Sequence, residues 1–261
     1  MDLLVDADIL ACQFAYAYEA RRGGGGVRAA VAVGGDMDGE ARGDGLRNSG
    51  KWAIAGFDSA VERMLRETRT DKAILCFTGC ENFRYAILPT YKANRRGAPR
   101  PVLLDVLIEH ARQVWECRSE DSLEADDVMG VMATRSPRSY VVASTDKDLK
   151  QVPGVHYNWR TDCMERVTTP DADYWFYFQV LTGDSTDGYS GCPGVGPRRA
   201  KTVLEGAGAH PWASIVAAFE SKGLTEEDAL AQARVARILR CDDYDFVRRR
   251  PIMWRPRPDW A

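Results

Sequence analysis

The stretch SLEADDVMG places Glu124, Asp126 and Asp127 within four consecutive positions, just ahead of an apolar run. Three further groups repeat the theme: Asp6 and Asp8 in LLVDAD, Asp146 and Asp148 in ASTDKDL, and Asp184 and Asp187 in LTGDSTDG. Each group alone has an ordinary explanation, because acidic residues favour turns and the first turn of a helix, where the backbone dipole is positive. Together they form a self-repelling set unless cations sit among them, since neighbouring carboxylates oppose one another's ionisation. Oxygen-only donors, without His or Cys, select hard divalent ions, so Mg²⁺ is expected, with Mn²⁺ as a substitute, rather than zinc. Two such ions about 4 Å apart can activate a water and neutralise the leaving oxygen of a phosphodiester.

A polyanionic partner needs cations, and the formal net charge of −3 over 261 residues argues at first against one. The distribution reverses that argument. Setting aside the eight acids Asp6, Glu124, Asp126, Asp127, Asp146, Asp148, Asp184 and Asp187 leaves +5, and residues 82–104 carry five basic side chains and no acid. Within that stretch PTYKANRRGAPRP offers Lys92, Arg95, Arg96 and Arg100 to phosphates and Tyr91 to a base, with Arg84 nearby in ENFRY. In GCPGVGPRRAKTVLEG, Gly194 and Gly196 flank Val195 ahead of a helix that carries Arg198, Arg199 and Lys201. That pattern permits a tight turn whose backbone N–H groups face a phosphate, which binds duplex without reading its sequence.

The elements that must position these residues alternate. LLVD from 3, KAILCF from 72 and SYVVAS from 139 read as buried parallel strands, and helical patterns occupy 59–68, 101–116 and 125–135. The expected fold class is therefore α/β, a mainly parallel sheet covered by helices, with carboxylates gathered where the strands end. The Glu124 group is the exception, because a helix that precedes a strand is expected to begin near the opposite edge of the sheet. Residues 19–51 are glycine-rich and read as a mobile loop with a short hairpin around VRAAVAV, and beyond about 171 helical patterns dominate. The division expected is a metal-dependent core over 1–170, including a basic segment at 89–118, and a helical duplex-binding subdomain over 171–261. Seven scattered cysteines without a C-x-x-C pair argue against a disulfide framework, and the acidic start MDLLVDADIL lacks the basic, apolar pattern of a secretion signal. A cytoplasmic protein without membrane spans is expected.

The same segments, in this order along essentially the whole chain, resemble the phage 5′-3′ exonucleases of the flap-endonuclease superfamily, and are similar to the 5′ nuclease domain of bacterial DNA polymerase I. The resemblance rests on LLVDAD, ENFRYAILPTYKANR, EADDVMG, ASTDKDL, GDSTDGYSGCPGVGPRRA and ARVARILRCDDYDF. It implies a parallel-sheet catalytic core, two divalent metals, and a helix-three-turn-helix element that binds duplex, often with K⁺. By position it implies Asp6, Glu124, Asp126 and Asp127 as ligands of one metal, and Asp146, Asp148, Asp184 and Asp187 as ligands of the other. Lys92 would contact the scissile phosphate at the base of a helical arch. The implied activity is 5′-3′ hydrolysis of duplex DNA with flap cleavage and removal of RNA primers from hybrids; a flap endonuclease with weak exonuclease action and a non-catalytic DNA-binding relative are the alternatives. One departure stands out at FTGCENF, where family members place an Asp: this chain offers Gly79 or, from a shifted position, Glu81.

Overall fold

The computed structural model describes residues 1–22, 45–136, 139–208 and 211–256. The hairpin expected around VRAAVAV lies outside them, as does most of the expected glycine-rich loop, whose two ends are helical.

Strands β1 (Asp2–Asp6), β2 (Lys72–Cys76), β3 (Glu116–Arg118), β4 (Tyr140–Ala143), β5 (Gly154–Asn158) and β6 (Cys163–Val167) form one sheet in the order β3-β2-β1-β4-β5-β6. All neighbours are parallel except the β5–β6 pair. The pleat sends alternate residues to opposite faces. Leu3, Val5, Ala73, Leu75, Val141 and Ala143 accordingly pack into a core with α1 (Ala7–Arg22), α2 (Gly45–Thr68) and, beyond the short α3 (Arg84–Ile87), α4 (Leu104–Val114). Leu4, Ile74, Cys76 and Val142 face the other way, onto α5 (Ala125–Arg135) and onto Ile238 and Leu239. A third core, around Phe176, Val180, Trp212 and Trp254, joins α6 (Thr169–Thr182), α7 (Pro197–Gly206), α8 (Pro211–Glu220) and α9 (Glu226–Ala236).

The chain leaves β1 to build β2 and β3 on one side and then returns to place β4 on the other. The strand order thus reverses between β1 and β4, which is where open parallel sheets form a crevice beyond the carboxyl ends of their strands. Strand β3 corrects the expected position of the Glu124 group. Only three residues long, it delivers the chain to the carboxyl edge of the sheet immediately before α5, so the N-terminus of α5 rises on the same edge as the ends of β1 and β4.

A buried ion pair ties these parts together. Arg84 is 2% exposed and Asp127 0%. The guanidinium donates to both Asp127 oxygens, at 2.6 and 2.8 Å, and also to the Val235 and Arg237 carbonyls at 2.8 and 2.6 Å. Asp127 accepts in addition from the Leu239 and Glu124 backbone N–H groups at 3.0 and 3.2 Å. The loop after β2, the start of α5 and the end of α9 therefore meet at one bidentate pair. Removing one partner strands the other charge in the interior, which typically costs about 3–5 kcal/mol. Asp127→Ala is expected to lower unfolding stability by that order in a urea titration, and Arg84→Met combined with Asp127→Leu to recover much of the loss. A single variant with an unchanged midpoint would remove this pair from its structural role.

Candidate active site

Asp6 closes β1 and caps α1: its Oδ1 accepts from the Ile9 N–H at 3.1 Å, and its Oδ2 from the Ser144 hydroxyl at 2.8 Å. The side chain is 2% exposed. Burial, to which Asp8 and Asp146 add repulsion, pushes its pKa up to about 7 although both hydrogen bonds pull it down. Asp8, in the first turn of α1, accepts from the Thr78 N–H at 2.9 Å and is likewise raised by burial. Asp126, in the first turn of α5, lies within electrostatic reach of Asp6, Asp146 and Glu124; burial and these three charges raise its pKa well above the carboxylate range. Asp146 follows β4 and accepts from the Asp148 N–H at 2.8 Å. Burial, with Asp146 beside it, takes Asp148 up to about 7, and its buried Oδ1 has no hydrogen-bond partner.

The remaining acids are held by cations. Glu124 is the N-cap of α5 and receives the Tyr91 hydroxyl at 2.7 Å, the Lys92 ammonium, and Arg84 at 3.3 Å. Its burial favours the neutral form, but Arg84 and Lys92 outweigh burial and hold it below the usual carboxylate range. Lys92 shows the converse: burial opposes its charge, yet Glu124 and Asp187 keep its pKa raised. Asp187 receives Arg95 at 2.6 Å, the Tyr91 hydroxyl at 3.1 Å and Lys92 at 3.7 Å. Asp184 accepts from the Thr186 N–H at 2.7 Å, with Lys147 3.5 Å away.

The loop carrying these two aspartates is closed by a backbone contact between Gly183 and Gly191, both in the left-handed region, where a Cβ on Gly191 would fall 2.3 Å from the Gly183 nitrogen. It lies against the Lys92 turn. The Lys92 N–H donates to the Asp187 carbonyl at 2.7 Å, and a Cβ on Gly188 would come within 3.0 Å of the Thr90 carbonyl.

Seven of the eight expected acids thus form one electrostatically connected group, Asp148 linking Asp146 to Asp184 and Asp187, and Glu124 linking Asp126 to Asp187. Asp127 stands outside it: four donors on its two oxygens and complete burial make it part of the Arg84 tie rather than a ligand. Arg84 is redirected for the same reason, because all its contacts are internal. Tyr91 is corrected too. At 2% exposure its ring is packed in the helical core, not offered to a base, and its hydroxyl bridges Glu124 and Asp187. Arg96 and Arg100 are exposed and contact none of these acids, Arg96 donating to the Pro89 carbonyl at 2.8 Å and Arg100 to Asp105 at 2.7 Å.

At the end of β2, Gly79 could not carry an Asp. Its Cβ would lie 2.0 Å from the Glu120 carbonyl oxygen, and Glu81 is exposed with its backbone N–H on the Asp121 carbonyl. Thr78 takes the place facing the acids, with its N–H on Asp8 and its hydroxyl accepting from the Ala125 N–H at 3.1 Å. Asp8, Thr78, Ser144 and Lys147 extend the expected set. For Asp8 the signal was present in the DAD spacing.

On the helical side, Gly194 has φ +72° and its carbonyl accepts from Arg199 at 2.8 Å. Gly196 is the extended N-cap of α7, and a Cβ there would meet no atom within 4 Å. Arg198, Arg199 and Lys201 are exposed on α7, Lys201 lying 3.6 Å from Glu205.

Among the described residues no three acidic, histidine or cysteine side chains close around one point as a finished cage. The chemistry of the donor set nevertheless fits hard divalent cations. It is all oxygen, it includes the unpartnered Asp148 Oδ1, and five of its members, Asp6, Asp8, Asp126, Asp148 and Asp187, are carboxylates whose charge is disfavoured where they stand. No helix among the described residues is long and apolar enough to cross a membrane.

Comparison with known proteins agrees with this architecture. A sequence model of the 5′-3′ exonuclease N-terminal, resolvase-like domain matches residues 41–173. The chain is 34% identical over 222 residues to an exonuclease of Escherichia phage T7, covering 70% of this chain and 73% of that protein. It is 32% identical over 170 residues to the flap endonuclease Xni of Vibrio campbellii, covering 55% and 62%. A lysine-to-alanine mutant of the phage T5 5′-exonuclease shares the fold with a TM-score of 0.62 at 12% identity, over 90% of this chain and 86% of that one. Another T5 structure, co-crystallised with metal ions, gives 0.62 at 15% identity over 90% and 88%.

The raised pKa of Asp6 makes a sign-definite prediction. Its folded value of about 7 lies above the ordinary 3.8, so ionisation costs nothing below about pH 4 and its full penalty appears once the pH passes about 7. In chelator, Asp6→Asn should be more stable than the wild type at pH 8, by about 1–3 kcal/mol after relaxation is allowed for, and the gap should close toward pH 4. Added Mg²⁺ should raise the wild-type melting temperature more than that of the variant. Thermal unfolding at several pH values checks this, and a variant less stable at pH 8 would contradict it.

Proposed function

The chain belongs to the 5′-3′ exonuclease family, and on that premise we propose that it hydrolyses phosphodiester bonds of duplex DNA from 5′ ends, cleaves 5′ flaps, and removes RNA from hybrids during DNA replication. The observation that carries this reading is the acid crevice at the strand-order reversal, with Lys92 bedded between Glu124 and Asp187.

In this proposal Asp6, Asp8 and Asp126, with Glu124, hold one Mg²⁺, while Asp146, Asp148, Asp184 and Asp187 hold a second, Mn²⁺ being able to substitute. When bound, such ions polarise the phosphoryl group and ease deprotonation of the attacking water. The chain supplies the rest. Lys92, kept protonated by two carboxylates, offers its ammonium to the scissile phosphate, where charge grows as the bond breaks. Arg95 takes the next phosphate beside it. Thr78 and Ser144 fix the carboxylates of Asp8 and Asp6 by hydrogen bonds, so that the oxygens do not have to be ordered when substrate arrives. The Gly194–Gly196 turn, open to solvent at the N-terminus of α7 and followed by Arg198, Arg199 and Lys201, suits a duplex phosphate, with K⁺ beside it.

Asp126→Asn should reduce cleavage of a 5′-labelled flap or duplex by about 10³-fold or more while changing duplex affinity by less than about threefold, because it removes charge at the reacting centre and no phosphate contact. Lys92→Ala should slow the single-turnover rate by about 10²-fold, a larger loss than its loss in affinity. Wild-type turnover in excess chelator, or by Asp126→Asn, would overturn the proposal.

A further inference from the structure

Tyr85 and Arg96 belong to the basic segment but take no part in the acid crevice. Tyr85 follows Arg84 on α3. Because Arg84 is locked inward by its pair with Asp127, the next side chain is turned outward, and Tyr85 is 44% exposed. Its ring lies 6.2 Å from that of Tyr91, whose hydroxyl reaches Glu124 and Asp187. The exposed ring is therefore one aromatic neighbour away from the acids. The Arg96 guanidinium stands 5.5 Å from the centroid of the Tyr85 ring and donates to the Pro89 carbonyl. Lys92 and Arg95 are engaged by carboxylates, whereas among the described residues Arg96 has no carboxylate partner.

We propose that Tyr85 and Arg96 form a stacking platform for the base of a nucleotide adjoining the scissile phosphate, with the open edge of the Arg96 guanidinium meeting the neighbouring phosphate. This rests on the 5′ nuclease reading and adds to it a subsite and a requirement for a base there. Three features favour this use over an ordinary surface tyrosine. The backbone that carries the ring is fixed in advance, since α3 is anchored by the buried Arg84, so little backbone entropy is lost on stacking. A cation beside an exposed ring is suited to a nucleotide, which presents a flat base and an anion together. And the acid site offers no other open ring: Tyr91, whose ring lies 6.2 Å from that of Tyr85, is buried.

The platform is tested with 5′-flap substrates that are intact, or that carry a single abasic site at each of the two nucleotides on either side of the cleaved bond. Single-turnover cleavage is measured against enzyme concentration, alongside quenching of 2-aminopurine at the same positions in Ca²⁺. At one of these positions the abasic substrate should bind wild type about 10-fold more weakly. Tyr85→Leu should show a similar loss on the intact substrate, no further loss on that abasic one, and diminished quenching; Tyr85→Trp should restore binding. Arg96→Gln should weaken both substrates alike. Equal losses of Tyr85→Leu on intact and abasic substrates, or none on either, would overturn the platform while leaving the nuclease reading in place. A wild type that cleaves none of the substrates would overturn both.

Discussion

Carboxylates brought together out of water repel one another and lose hydration, and the architecture around the crevice answers that constraint. Asp6, Asp8, Asp126 and Asp148 stand where burial and mutual charge favour their neutral forms. They are nevertheless held together, by the helix starts of α1 and α5, whose N–H groups and dipoles favour negative charge, and by the hydroxyl of Ser144 and the N–H of Thr78. The acids around them have cations to hand: Glu124, Asp187 and Asp184 each have a lysine or arginine within ion-pair distance, although burial still holds Asp187 above its ordinary value. An inner group kept short of positive charge and an outer group supplied with it make a site that gains stability from added cations.

That arrangement would spread apart without a rigid frame, and the Arg84–Asp127 pair provides one. It joins segments more than a hundred residues apart in sequence, so the N-cap position of Glu124 depends on the end of α9 being in place. Gln151 repeats the device beside Asp146 and Asp148, donating to Gln179 of α6 and the Ala236 carbonyl and accepting from the Ile238 N–H. The helical part is thus fastened to the sheet at points next to both groups of acids.

Much of this was legible in the sequence, because acids at strand ends and apolar runs of the right period are local patterns. LLVD, KAILCF and SYVVAS are strands, 125–135 is a helix within those bounds, and helices α6 to α9 occupy Thr169–Ala236, where helical patterns dominate the sequence. Illegible features depended on partners distant in sequence. Strand β3 is three residues long and has no pattern of its own, and β6 is exposed at four of its five positions, so neither shows a period; without β3 the edge on which α5 begins could not be inferred. Asp127 resembles its neighbours in type and spacing, but its orientation one step further round the helix puts it on Arg84 instead of in the crevice. Tyr91 reads as a stacking residue beside lysine and arginines until the packing of α6 to α9 encloses it. Gly79 resembles a vacancy left by an acid, whereas the close approach of the Glu120 carbonyl makes a side chain impossible there.

The pairing of Lys92 and Arg95 with acids of the crevice has a consequence for how substrate and cations act on one another under the proposed function. A phosphodiester entering alone must draw these two side chains away from Glu124 and Asp187, leaving carboxylates unbalanced; divalent cations entering alone must share those carboxylates with ammonium and guanidinium groups already close to them. Each arrival alone leaves part of its cost uncompensated, and each relieves the cost of the other, since the cations balance the acids that the phosphate strips and the phosphate takes up the side chains that the cations displace. Binding free energies coupled in this way are reciprocal. Duplex DNA should then tighten cation binding by the same factor that cations tighten DNA binding at the crevice, whereas the contacts at Gly194, Gly196 and α7, remote from any of these carboxylates in hydrogen bonding, stay outside the coupling and hold duplex whether or not the crevice is filled.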